Sequence, residues 1–141
     1  MKYKSQLILT ILTAVYGVSY AQSGLNKSKN ELIAFISRPA YVTHYPEVSI
    51  DTNTITTFSK DLKKAVFYSF NSYNRCTGEV MSEKLEDNNY QATLRFLISY
   101  LKALNYEPSL DSDNKYIDKR NRVSAIIESN GEWLNIIFKT F

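Results

Sequence analysis

The sequence predicts an α+β domain, an antiparallel sheet of about 4–5 strands packed against one main helix. Three observations lead there. Residues Arg122–Phe141 alternate in polarity around an Asn130-Gly131 pair, as a C-terminal β-hairpin does. Residues 89–104 carry an apolar stripe at helical spacing. Helical and extended patterns follow one another as helix, strands, helix, strands, which suits a sheet with helices on one face.

The first 21 residues differ from the rest. Lys2 and Lys4 form a short positive region, Leu7–Val18 is almost without polar groups, and Ser19-Tyr20-Ala21 puts small residues at the −3 and −1 positions of a cleavage site. This is the layout of a secretory signal peptide, with cleavage expected after Ala21. The apolar run is shorter than the roughly 20 residues that a membrane span needs. The expected product is one exported domain, residues 22–141, secreted or periplasmic, with no membrane span after cleavage.

Within that domain, 22–27 reads as a flexible polar lead-in. Ser28 and Glu31 match a capping box, so a short helix over about 29–36 is expected, closed by Pro39. Tyr41–Pro46 reads as a loop, and Glu47–Phe58 as extended chain rich in Thr, Val and Ile. Residues 60–71 fit both a helical stripe and a strand; the density of β-favouring residues decides for a strand over Ala65–Asn71, with a second near Gly78–Leu85.

The main helix has Tyr90, Leu94, Leu97, Ile98, Leu101 and Leu104 on one stripe, opened by a capping pair Asn88/Gln91 and closed at Asn105 before Pro108. Phe96, Tyr100 and Ala103 widen its apolar side, so it should touch more than the sheet. Lys115–Lys119 is a short strand before the hairpin. A two-residue type I′ turn at Asn130-Gly131 would pair Ile127 with Leu134, Ala125 with Ile136 and Val123 with Phe138 on the inner face. On the outer face Glu128 would oppose Trp133, Ile126 would oppose Asn135, and Ser124 would oppose Ile137.

Charge and motifs narrow the function. The formal charge of +3 falls to +1 without Lys2 and Lys4, so no concentrated basic character argues for nucleic acid as partner. Cys76 is the only cysteine, which forbids an intramolecular disulfide, and it is expected to be buried beside a turn. His44 is the only histidine; with Cys76 it supplies too few ligands for a zinc site, and no cofactor or metal is expected. Asp111-Ser112-Asp113 opens like a calcium loop, but Lys115 and Tyr116 stand where an oxygen ligand and a glycine belong. No glycine-rich phosphate loop or nucleophile elbow occurs. Glu79, Glu83, Glu86 and Asp87 lie in a mixed-charge segment and read as a solvated face.

These readings point to a non-catalytic binding or interaction module, such as an inhibitor, an immunity-type protein or an envelope partner, with another protein as ligand. The alternative is a small exported hydrolase using carboxylates or Cys76 with His44. Trp133, Ile126 and Ile137 on the outer hairpin face form the candidate interaction surface, unless the N-terminal helix covers it. The chain is expected as a monomer or weak homodimer, self-associating through that face or through an edge strand ending at Phe141.

Overall fold

A computed structural model describes residues 24–86 and 89–141. The signal-peptide segment, the cleavage site and the Asn88 end of the expected capping pair lie outside these residues.

Among the described residues, eight strands form a single antiparallel sheet, a larger sheet than expected. In chain order the elements are α1 (Lys29–Ile36), α2 (Pro39–His44), β1 (Glu47–Ile50), β2 (Thr54–Phe58), β3 (Lys64–Phe70) and β4 (Cys76–Lys84). There follow α3 (Tyr90–Ala103), β5 (Glu107–Pro108), β6 (Lys115–Asp118), β7 (Val123–Ser129) and β8 (Trp133–Thr140). The spatial order is β1-β2-β3-β4-β8-β7-β6-β5.

Two four-strand meanders thus meet at the β4–β8 seam. After β4 the chain crosses through α3 to the far edge, and β5 to β8 then fill the sheet inward. The last strand is therefore central, paired with β4 on one side and β7 on the other. The expected edge strand ending at Phe141 is overturned by this crossing. The extra strands have local causes. Asp51-Thr52-Asn53 is turn-forming chain, and the Asp51 amide donates to the Thr54 carbonyl at 2.9 Å, splitting the extended segment into the β1–β2 hairpin. Strand β5 is two residues long, too short to leave a pattern.

Several local signals hold. Ser28 and Glu31 close a complete capping box at α1. Asn105 takes φ 65°, and the amides of Tyr106 and Asn105 donate to the Leu101 and Lys102 carbonyls, a Schellman end to α3. At the other end of α3 the N-cap is Asn89, whose side chain makes no capping bond. Two readings fail. Pro39 does not merely end α1; it takes the first turn of α2, where its missing N–H costs nothing, so Tyr41 is helical and buried instead of lying in a loop. Residues 24–29 are not a free lead-in. The Asn26 amide donates to the Cys76 carbonyl, the Cys76 amide to Lys27 and the Lys29 amide to Asn74, strapping this segment along the β3–β4 loop.

The hairpin is shifted by two residues from the expected register. Ile127 faces Ile136, Ala125 faces Phe138 and Ile126 faces Ile137. The reason lies in Asn130, whose Oδ1 accepts the amides of Glu132 at 3.1 Å and Trp133 at 2.7 Å. This side-chain turn leaves only Gly131 at positive φ (90°) and lengthens the loop. A shift of two preserves strand parity, so the expected faces survive although the pairs change.

All three helices lie over one face of the sheet. The core joins Leu32, Tyr41, Leu97 and Leu101 to Val66, Tyr68, Ile136 and Phe138, which share that face. On α3, Leu97 and Leu101 are fully buried, but Tyr90 and Phe96 are exposed and so leave the expected apolar side.

Candidate functional site

The opposite face of the sheet is covered by no described helix. Its side chains are fixed by register. Phe67 on β3 faces Val80 on β4, Val80 faces Ile137 on β8, and Ile137 faces Ile126 on β7. These four side chains form one apolar row across four strands, about 14 Å long at the usual strand spacing. Thr56 and Lys115 stand at its two ends. Phe58 broadens the β2 end, its ring set edge-on to Phe67 at 6.2 Å between centroids. The adjacent row is small and polar: Ala65, Ser82 and Asn135, with Ser82 Oγ hydrogen-bonded to Asn135 Oδ1 at 2.6 Å. Trp133 shares this face at the start of β8, opposite Lys84, which pairs with Glu132 at 3.7 Å. Of the residues named from sequence, Ile126 and Ile137 thus become direct cross-strand neighbours. Trp133 lies along the same strand at the margin, half-buried like the other two. Helix α1 lies on the other side of the sheet and does not cover them.

The charged segment around Glu79 behaves differently from its sequence reading. Glu79 is not on a solvated face; it is wholly buried beneath the helices. Strand alternation puts it on the core side, between Tyr68 on β3 and Phe138 on β8. Its Oε2 accepts the Leu25 amide at 3.3 Å, and the Gly24 amide also favours the charged form. Oε1 has no hydrogen-bond partner among the described residues. Burial outweighs the two amides and pushes the carboxyl up to about 9, so it is a neutral acid at pH 7. A sequence signal for this existed, since Glu79 shares strand parity with Met81, but it competed with an equally regular Gly78-Val80-Ser82 set.

Around Glu79 the phenols form a buried network. Tyr41 hydroxyl lies 2.8 Å from Thr57 Oγ1 and 3.0 Å from the Tyr68 hydroxyl, and all three residues are fully buried. Burial, then the neighbouring Tyr41 and Glu79, raises Tyr68. Burial raises Tyr41 as well. Cys76 is buried and unbridged; burial, then Glu79, pushes its thiol up to about 12, the reverse of what a nucleophilic thiolate needs. His44 ends α2 on the surface. Tyr41, Tyr45, Tyr68, Tyr100, Tyr106 and Tyr116 are all buried in the core.

Gly24 gives this region a sharp steric requirement. A Cβ there would stand 2.7 Å from Glu79 Oε1 and 2.7 Å from the Tyr68 ring, which is packed on all sides. Gly24→Ala should therefore lift the strap and cost about 1–3 kcal/mol. Denaturant unfolding with amide exchange at Asn26 and Cys76 checks this; unchanged stability and protection would show that the strap is not clamped.

A cleft of about 330 Å³ lies elsewhere, at the β5–β6 corner, lined by residues that include Leu104, Ile117, Asp118 and Arg120. Asp118 is buried there and satisfied by the Asn121 amide and side chain at 3.1 and 2.7 Å. Glu79, Cys76 and His44 do not line it. Among the described residues no three His, Cys, Asp or Glu side chains are grouped to hold a metal ion, and no helix is long and apolar enough to cross a membrane.

No family model, curated protein or solved structure matches this chain. The geometry alone must then carry the functional reading. It separates two kinds of place: a reactive-looking cluster that solvent and substrate do not reach, and an accessible apolar face that has no reactive group.

Proposed function

We propose that this protein is a non-catalytic binding module that holds another protein against the open face of its sheet. The observation that carries the reading is the unbroken row Phe67, Val80, Ile137 and Ile126 on a face that no described helix covers. Apolar surface of this kind favours a partner that removes it from water. The flanks supply what such an interface needs at its rim: Lys84, Lys115, Glu128 and Trp133 surround the row with mixed charge and an indole. The exported setting rests on residues 1–21 and is part of the same proposal.

The hydrolase alternative is less well supported, because Cys76 and Glu79 are both buried and the exposed Glu86 is paired with Lys63. A substrate must come within about 3 Å of a catalytic group.

The test places a photo-activated cross-linker at Ile137 or Phe67, and separately at Lys102 on the outer side of α3, in the cell that makes the protein. A discrete protein adduct from the first two positions, absent from the third and lost with Ile126→Asp, is expected. Adducts that form equally from Lys102, or survive Ile126→Asp unchanged, would overturn the reading. N-terminal sequencing of the recovered protein should begin at Gln22.

A further inference from the structure

We propose that the protein pairs with a second copy of itself through the β1 edge, so that two sheets join into one continuous antiparallel sheet. The two ends of the sheet differ sharply. At one end β5 is two residues long, includes Pro108 and carries the Glu107–Lys119 ion pair, all features that blunt an edge. At the other end β1 has neither proline nor lysine within Glu47–Ile50, and all four residues are exposed. Val48 is 43% exposed and Ile50 50%, although both point to the core side of the sheet, the side of Ile55 and Thr57. Val42 on α2, 40% exposed, lies one residue from Tyr41, which reaches Thr57 on β2, so that helix overlies the same edge.

Among the described residues, the backbone groups that β1 turns outward follow from its pairing with β2. The Asp51 amide bonds inward to Thr54. In an antiparallel ladder, inward-bonded residues alternate, so Ser49 and Glu47 also bond to β2, while the N–H and C=O of Val48 and Ile50 point outward. The edge is held in place for pairing. Lys29 Nζ donates to the carbonyls of Asp51 and Thr52, tying the β1–β2 turn to α1.

The register of self-pairing follows from charge. With both copies showing the same face to the same side, β1 can pair antiparallel about Ser49 or about Val48. Pairing about Ser49 sets Glu47 opposite Asp51 of the second copy, two like charges at each end, which is unfavourable. Pairing about Val48 sets Val48 against Val48, Ile50 against Pro46, and Glu47 against the Ser49 hydroxyl. The Val48 amides then exchange two hydrogen bonds, and each Ile50 amide donates to a Pro46 carbonyl. Pro46, having no N–H, ends the ladder. This self-complementarity is why the occupant is a second copy, related by a two-fold axis.

Two measurements test it. Val48→Cys should form a disulfide-linked dimer under mild oxidation, whereas Ser49→Cys should not, because Ser49 of the two copies would be offset beyond disulfide reach. Cys76 is buried, so the unaltered chain serves as the uncross-linked control. Sedimentation equilibrium of the unaltered protein should show a reversible monomer–dimer system, weakened about tenfold or more by Val48→Lys, which opposes two cations at the centre. A chain that is monomeric at every concentration overturns the proposal, as does a dimer indifferent to Val48→Lys. Cross-linking through Ser49→Cys instead of Val48→Cys overturns it too. An intact open-face interaction with no edge dimer would leave the binding reading standing and remove only this one.

Discussion

Glu79→Gln should make the protein more stable than the wild type at neutral pH, by about 2 kcal/mol, and should abolish most of the fall in stability between about pH 5 and pH 8. The carboxyl ordinarily ionises near 4.5 but in the fold keeps its proton to about 9, chiefly through burial. Between those values the folded state binds a proton that the unfolded chain has released. Stability from this group is therefore complete below about 4.5 and is lost as pH rises toward 9, by up to about 1.4 kcal/mol per pH unit. Gln keeps the shape and the acceptor for the Leu25 amide but carries no proton to release. Groups of opposite sign act only at the acidic end. Glu31 is held low by the Ser28 amide and hydroxyl, and Asp61 by the Ser59 hydroxyl and the Lys63 amide, so both favour the fold above the carboxylate range. The wild type should then be most stable near about pH 5. Urea unfolding at several pH values measures this. A wild-type curve that is flat from about pH 5 to 8, or a Gln variant that keeps the same slope, would mean that Glu79 ionises normally and is not buried as described.

Phe138→Ala should cost about 3–5 kcal/mol and Leu101→Ala about 2–5 kcal/mol, while Ser124→Ala should change stability by no more than about 0.5 kcal/mol. Phe138 is fully buried in the central strand, between Glu79 and Ala125, with the Tyr106 ring edge-on at 6.1 Å. Its neighbours belong to different elements and cannot collapse together into the space it leaves, so a cavity term adds to the lost transfer energy. Leu101 fills the corresponding place on α3. Ser124 lies on the other face and makes one long bond, 3.4 Å, to the Lys139 carbonyl. Similar unfolding midpoints for the three variants would mean that the inner face has been assigned wrongly.

Much of the candidate surface was legible. Trp133, Ile126 and Ile137 share a face because side chains alternate along each hairpin strand, and a two-residue shift in register leaves that alternation untouched. Phe67 and Val80 complete the row but were not legible as part of it. They reach the hairpin only through the β4–β8 seam, and nothing local in Ala65–Phe70 or Cys76–Lys84 says which strand lies beside which. Glu79 was misread for a related reason. In a run of mixed charges, alternation allows either parity to face inward, and the choice is made by what packs above.

What the sequence by itself determined is what short-range forces decide. Ser28 and Glu31 start α1, Asn105 and Tyr106 end α3, Asn130-Gly131 turns the hairpin, and the apolar spacing of Leu97 and Leu101 selects the buried side of α3. Each depends on bonds or contacts within a few residues. Only the tertiary structure decided that the final strand is central, that residues 24–29 are strapped to the β3–β4 loop, that Glu79 is sealed in the core, and that β1 is an outer strand of the sheet among the described residues. The central place of β8 depends on the α3 crossing, which brings it beside β4 from far along the chain, and the strap depends on its bonds to Asn74 and Cys76. Pairing between distant strands is favoured by burial summed over the whole sheet, and no single stretch of sequence contains that sum.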